Sequence, residues 1–312
     1  MALHLRCSPA LRQLGVDPIG SATSGTSYLL VDLPLPWQGD IGDDPRLDEL
    51  HAFVRELAAA GHRWRVQATV PREDGVRRVV AYELPHGPAS GFLRRELTAG
   101  PGEELHAAMV LLQEVGIQGV GADPSPGGDF LLCTHGSRDV CCGGSGTVLW
   151  RELVERAGSL PDELALGRTS HTGGHRFAPT ALSLPTGTMW AWLDVAQASA
   201  LTDRRGVLDE LLAHYRGSCL MRSTAEQVVE REAFRTIGWG WLEHRRSATT
   251  IAAGEDTIVE LAYEAPDGRQ GRFVGRTRVV GSAPVPPCGE PLEQATKSSP
   301  VLELVGSVEH HS

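Results

Sequence analysis

The stretch CTHGSRDVCC, residues 133 to 142, packs three cysteines and a histidine into ten positions of a chain with six cysteines in all. About thirty residues later, HTGGHRFAP sets His171 and His175 four apart around two glycines. Thiolates and imidazoles are the donors that zinc and iron–sulfur centres select, so two cysteines from the first stretch and both histidines from the second supply the four ligands of one metal centre. Cys133 ends the apolar run DFLLC, and Cys142, eight intervening residues on, opens a glycine-rich turn just before a helix. A helix start favours a thiolate through its free backbone N–H groups and its dipole. Gly143, Gly144 and Gly146 allow backbone to approach closely there.

Several other chemistries fail on pattern. As a helical His-x-x-x-His, the second motif would carry Gly173 and Gly174 at a cost of about 1 kcal/mol each, and no glutamate follows the first histidine, so a loop replaces the zinc-protease reading. Zinc-finger spacing is absent, although the Cys₂His₂ donor set still suits a zinc-stabilised binding module without redox activity. A [2Fe–2S] centre also takes four ligands, and two imidazoles can replace two thiolates on one iron. Cys133 and His135 make half of a Rieske motif, but neither Cys141 nor Cys142 has a histidine three residues on, which leaves His135 as a loop hydrogen-bonding residue. CCGGSG lacks the lysine of a phosphate loop, there is no Cys-x-x-Cys, and Ser24 has no nucleophile-elbow context. No carboxylate pair is assignable to glycoside hydrolysis.

The elements that must present these residues alternate between strand and helix. SYLLVDLP, RWRVQATV and RRVVAYELP read as strands. DDPRLDELHAFVRELAAAG is predicted helical, with Asp44 as cap, Pro45 in the first turn, Leu47, Leu50, Val54 and Leu57 on one face and Gly61 as stop. GEELHAAMVLLQEVG gives a second helix presenting Leu105, Met109 and Leu112, and the loop GADPSPGGD separates this region from the cysteines. Next come strand DFLLC, helix TVLWRELVERAG ending at Gly158, strands APTALSLP and TMWAWLD joined across Pro185, Thr186 and Gly187, and a helix over TDRRGVLDELLAHYRG with Leu208, Leu211, Leu212 and Tyr215 on one face. Strand, helix, strand, antiparallel pair and helix is the order of a thioredoxin-like unit. STAEQVVEREAFRTIG starts with a capping box of Ser223 and Glu226, DTIVELAYEAPDGRQGRFVGRTRVV is a hairpin turning at Asp267 and Gly268, and no structure is assigned from Pro284 onward. The expected architecture is α/β: an N-terminal α/β unit over residues 1–125, a central unit over 126–220 and a helix, β-hairpin and tail over 221–312.

Bulk composition sets the class. The 312 residues are 41% apolar, enough for two cores, and no window reads as a membrane span or an export signal, so a cytoplasmic chain is expected. In a reducing compartment clustered cysteines are ligands or redox groups, while the isolated Cys7, Cys219 and Cys288 read as buried structural thiols. A net charge of −10 without basic runs argues against nucleic acid or an anionic membrane as partner and suits a redox partner with a basic face. Trp190, Trp192, Trp239 and Trp241 alternate as strand residues do and are assigned to core packing.

CTHGSRDVCCG followed by HTGGHRFAPTALSLPTGTMWAWLD resembles the sucrase/ferredoxin-like family, whose members include thioredoxin-like ferredoxins with bis-histidinyl [2Fe–2S] coordination. Cysteine-only relatives carry Cys-x-x-x-Cys, a small residue and proline, an apolar strand, Pro-x-Gly and an aromatic strand. Here His171 and His175 stand at those cysteine positions, followed by Ala178, Pro179, Pro185, Gly187 and Trp190. The resemblance runs from about Cys7 to Tyr215. It implies that Cys133 and Cys142 hold one iron of a [2Fe–2S] cluster and His171 and His175 the other, and that the protein is an electron carrier or redox component rather than a stand-alone enzyme, with a reductase or flavoprotein as partner. Neighbouring residues of an extended segment point opposite ways, so one of Cys141 and Cys142 binds; spacing and the following glycine favour Cys142. Arg138, Asp139 and Arg176 flank the ligands, either to tune the centre or to brace the loops.

Overall fold

The computed structural model describes residues 7–118, 126–156, 164–286 and 292–311. Helix α1 (Cys7–Gln13) leads into strand β1 (Ser27–Asp32), helix α2 (Asp48–Ala59), strands β2 (Trp64–Thr69), β3 (Arg77–Glu83) and β4 (Leu93–Ala99), and helix α3 (Glu104–Gln118). Strand β5 (Gly128–Cys133), helix α4 (Thr147–Glu155) and strands β6 (Leu164–Thr169), β7 (Ala181–Leu184) and β8 (Thr188–Trp190) follow, then helices α5 (Val195–Thr202) and α6 (Leu208–Leu212) and strand β9 (Tyr215–Ser218). Helix α7 (Thr224–Ile237) precedes strands β10 (Arg245–Ala253), β11 (Asp256–Glu264), β12 (Gln270–Val285), β13 (Lys297–Leu304) and β14 (Glu309–His311).

Nine strands form one mixed sheet in the order β4-β3-β1-β2-β6-β5-β7-β8-β9, and the remaining five form a C-terminal sheet, so the chain is α/β. The large sheet contains one arrangement twice. In each half a strand pairs parallel with the strand after its helix and antiparallel with the next, which has an antiparallel neighbour of its own: β2-β1-β3-β4 and β6-β5-β7-β8, with β9 added beyond β8. The halves join edge to edge where Thr69 pairs antiparallel with Thr169, flanked by the bonds Val70 N–H to Arg168 O and Ser170 N–H to Ala68 O. The registers match too: Asp32 lies opposite Thr69, and Cys133 opposite Thr169. The boundary expected near residue 125 falls among the residues outside the described ones, as do Gly158 and Cys288.

Local chemistry explains the elements. Asp44 caps the turn Pro45–Leu47, its carboxylate accepting from Arg46 N–H, and the chain leaves α2 through Gly61 at φ +96°, a left-handed conformation that suits glycine. β1 is buried throughout because both its faces are covered: Leu29 and Val31 pack with Leu50 and Leu111, while Tyr28 and Leu30 pack with Leu131 and Leu182 of the second half. The second core takes Phe130, Leu149, Trp190 and Tyr215 together with Val229 and Phe234 of α7 and Val259, Leu261 and Phe273 of the C-terminal sheet. Glu230 of α7, fully buried, accepts from Tyr215 Oη at 2.7 Å and Trp241 Nε1 at 2.9 Å, which ties that helix to β9.

Several expectations are corrected. Tyr215 lies in strand β9, not on a helix with Leu208: Gly206 at φ +92° separates α5 from α6, and the chain then extends to pair with β8. The sequence patterns for β4, β6 and α5 passed unread; LRRELTA in β4 is too charged to look like a strand, because it is an outer strand of the sheet. The segment after Pro284 is not structureless, since β13 and β14 both pair with β12, and the hairpin β11–β12 is the middle of a larger sheet. Trp239 and Trp241 sit in a 3₁₀ turn (Trp239–Glu243), not a strand, with Trp241 fully buried as core. Ser223 Oγ accepts from Glu226 N–H as a cap should, but the Glu226 carboxylate accepts from Arg222 N–H, so the box closes one residue early. Among the described residues no helix is long and apolar enough to cross a membrane.

Candidate metal centre

The two loops that carry the donors leave the sheet beside the seam between its halves. Cys133 is the last residue of β5, where its N–H donates to Thr180 O. The chain then folds back through Gly136 into a π-helical turn, Cys142–Gly146, that runs directly into α4. Such turns recur at functional sites because they displace a side chain from ordinary helical spacing. The turn requires glycine for contact with backbone rather than with sulfur: a Cβ at Gly146 would lie 2.1 Å from Cys133 O, and one at Gly143 would lie 2.3 Å from Gly136 Cα. The result is two buried sulfurs, at Cys133 and Cys142, aimed at each other.

The histidine loop follows β6. Gly173 and Gly174 have φ of +87° and +73°, so the loop is not helical, and His175 opens a short 3₁₀ turn, His175–Phe177. The N-terminal half anchors the loop from below: Arg65 Nη2 and Gln67 Nε2 both donate to His171 O, at 2.6 and 3.2 Å. From the first loop, His135 Nδ1 accepts from His171 N–H at 3.1 Å, and His135 Nε2 therefore donates to Gln38 O at 2.7 Å. With both ring nitrogens engaged, and burial disfavouring its charged form, His135 is a neutral brace and offers no lone pair to a metal.

Donor atoms of Cys133, Cys142 and His171 lie within 4.8 Å of one another, and so do those of Asp139, His171 and His175. The two groups share His171. All four residues expected as ligands thus line one site, and Asp139, expected only to flank them, contributes a carboxylate to it. Asp139 Oδ2 is 3.3 Å from His171 Nδ1 and 3.8 Å from His175 Nδ1. The nearer approach is out of line for a hydrogen bond, and His171 Nδ1 is a buried nitrogen without one. Cys141 is not among these donors: it packs in the same buried cluster as Cys133 and Cys142, but its Sγ lies 3.8 Å from Cys7 Sγ.

The electrostatics suit a centre that needs deprotonated sulfur. The Cys142 thiol hydrogen-bonds Cys133 and the His171 imidazole lies beside it, which together hold Cys133 well below the usual thiol range despite burial. Cys142, as the donor in that pair and buried as well, is held well above it. The pair therefore shares one proton, which a metal would displace. Burial raises Asp139 against the opposing pull of both histidines.

The residues flanking the expected ligands divide in role. Arg138 pairs with Asp40 on the surface and bonds Gly39 O, bracing the first loop against the N-terminal half. Arg176 Nη2 donates to Ser299 Oγ of β13. His175 Nε2 lies 3.0 Å from Pro286 O; a carbonyl only accepts, so Nε2 carries the proton and Nδ1 presents its lone pair to the site. Pro286 lies in the tail to which the sequence assigned no structure, and Arg65 and Gln67 sit in a strand with no metal-site signature; nothing in the local sequence marks these contacts.

The model of the sucrase/ferredoxin-like family matches residues 18–217, about two thirds of the chain. A curated protein from Meyerozyma guilliermondii, the altered inheritance of mitochondria protein 32, is 33% identical over 95 residues, covering 28% of this chain and 33% of its own length. The match therefore spans about a third of that relative. No solved structure matches the chain.

Proposed function

The chain belongs to the sucrase/ferredoxin-like family, and from that membership and the donor set at the seam we propose an electron-transfer protein that holds one [2Fe–2S] cluster through Cys133, Cys142, His171 and His175. The observation that carries this reading is the convergence of two buried sulfurs and two imidazoles on one site, including a buried His171 nitrogen that makes no hydrogen bond. An orphaned polar atom of that kind is costly unless something binds it. The sheet order β6-β5-β7-β8 supports a thioredoxin-like ferredoxin unit. A cytoplasmic setting suits thiols kept as ligands, and a reductase or flavoprotein is the partner class in keeping with the acidic chain.

When bound, such a cluster supplies one-electron uptake and release. The chain's own residues do the rest. Cys133, already acidified, and Cys142 provide thiolates; His135, Arg65 and Gln67 hold the histidine loop through its backbone. Pro286 O keeps the His175 proton on Nε2. Two neutral imidazoles in place of two thiolates leave the centre less negative, which raises the potential, and a proton on the distal ring nitrogen is held more tightly in the reduced state. Electron uptake then favours proton uptake, and the potential falls as pH rises.

Anaerobically purified protein tests this directly. Two irons per chain, visible absorption and a midpoint potential that declines between pH 6 and 10 are expected. A colourless protein with one zinc would establish the Cys₂His₂ zinc module instead, and a flat potential would refute the proton coupling.

A further inference from the structure

Around the histidine loop lie three guanidinium groups without a carboxylate partner among the described residues. Arg216, from β9, is 1% exposed. Its Nη1 donates to Gly173 O at 3.0 Å, its Nη2 to Ser21 O at 2.5 Å and its Nε to Ser21 Oγ at 3.0 Å. Arg65 reaches His171 O from β2, and Arg176 lies 4.6 Å over the Phe177 ring, which Arg216 approaches at 5.7 Å. Burial brings the Arg216 pKa down to about 10, which still leaves it charged at neutral pH. The loop is moulded around it: a Cβ at Gly174 would lie 2.5 Å from Arg216 Nη2.

A buried charge without an opposite partner is costly, and a chain needing only a brace for the Gly173 carbonyl could use a neutral donor. Resting on the electron-transfer reading above, we propose that Arg216, with Arg65 as its half-buried counterpart, is a positioning residue that fixes the His171–His175 loop and lends the site a positive charge favouring the reduced centre. Adding an electron makes a Cys₂His₂ cluster more negative, and a fixed cation in low-dielectric surroundings offsets that charge without reorganisation. Its partner in this role is therefore the added electron, not a side chain.

The full chain and its R216Q, R216K and R65Q variants decide the matter through iron content, the reduced-state paramagnetic resonance spectrum and midpoint potential. R216Q is expected to keep two irons while its reduced-to-oxidised ratio at fixed ambient potential falls about tenfold, roughly 59 mV for one electron. R216K should restore most of that shift, because it returns the charge without the planar fork. R65Q should move the potential the same way by less, since solvent screens it. Iron-loaded R216Q with the wild-type potential would overturn the role of Arg216. Should R216Q fail to fold, an unchanged potential in iron-loaded R65Q would overturn it instead. Wild-type protein free of iron would overturn the electron-transfer reading itself, which is a separate result.

Discussion

The two halves of the large sheet share connectivity and register yet end their equivalent strands in different chemistry. β1 ends at Asp32 opposite Thr69, and β5 ends at Cys133 opposite Thr169. Asp32 is satisfied within its own half, accepting from Thr69 Oγ1 at 2.7 Å and Arg78 N–H at 2.9 Å. Cys133 instead faces outward from its strand end to Cys142 and His171. The loops differ accordingly. After β1 the chain places Trp37 edge-on to His135 and its carbonyl under Ser137 Oγ, so the first half's loop serves as a support for the second half's cysteine loop. One scaffold used twice thus separates the work: one copy braces and the other carries donors.

The sharpest break in this contrast is exchanging the two strand ends. Cys133→Ser should abolish iron incorporation, a loss beyond the roughly 10- to 100-fold that outer partners of a metal site typically cost, whereas Asp32→Asn should leave metal content intact by elemental analysis. Gly146→Ala comes next, because its Cβ would strike Cys133 O; we expect about 1–3 kcal/mol lost in denaturant melts together with reduced iron loading, while Gly75→Ala, open in the first half though left-handed, should lose stability and keep its iron.

Asp32→Asn itself is expected to cost about 1–2 kcal/mol at acid pH, read by urea unfolding. Burial raises the Asp32 carboxyl above its ordinary 3.8, so the folded chain binds more protons than the unfolded one between those two values. Its contribution is therefore fully present below the ordinary value and lost as pH rises through the raised one, and the gap between wild type and Asp32→Asn should narrow across that window. A gap that widens would show the carboxylate form to be the stabilising one. The smallest effect on iron belongs to Cys141→Ser, which should keep two irons per chain and lose about 1–3 kcal/mol of stability, as a hydroxyl replaces a buried sulfur packed against Cys7. Loss of iron in that variant would move the ligand assignment by one residue.

Much of this was legible from residue types and spacing. The caps at Asp44 and Ser223, the stop at Gly61 and the β7–β8 pair across Gly187 followed from local rules, since each depends on atoms a few residues apart. The donors were legible because thiols, imidazoles and glycines rarely cluster without a reason. The repeat was legible only as a renewed alternation of strand and helix in the second half: the shared strand order and register rest on backbone pairing, which leaves little trace in side chains. The outer strand β4 and the C-terminal strands β13 and β14 were missed because exposed positions tolerate charge, leaving no apolar alternation to read.

Residue types alone mark which atoms could bind metal and on what loops they ride, because ligand chemistry and turn chemistry belong to individual residues. Packing over long distances set the rest: Cys142 and not Cys141 turns toward Cys133, Asp139 stands between the histidines, and Arg65, Arg216 and Pro286, from β2, β9 and the residue after β12, close around them. Those choices depend on strands from distant parts of the chain meeting at a seam, and hydrogen bonds across more than a hundred residues leave no pattern in any local window.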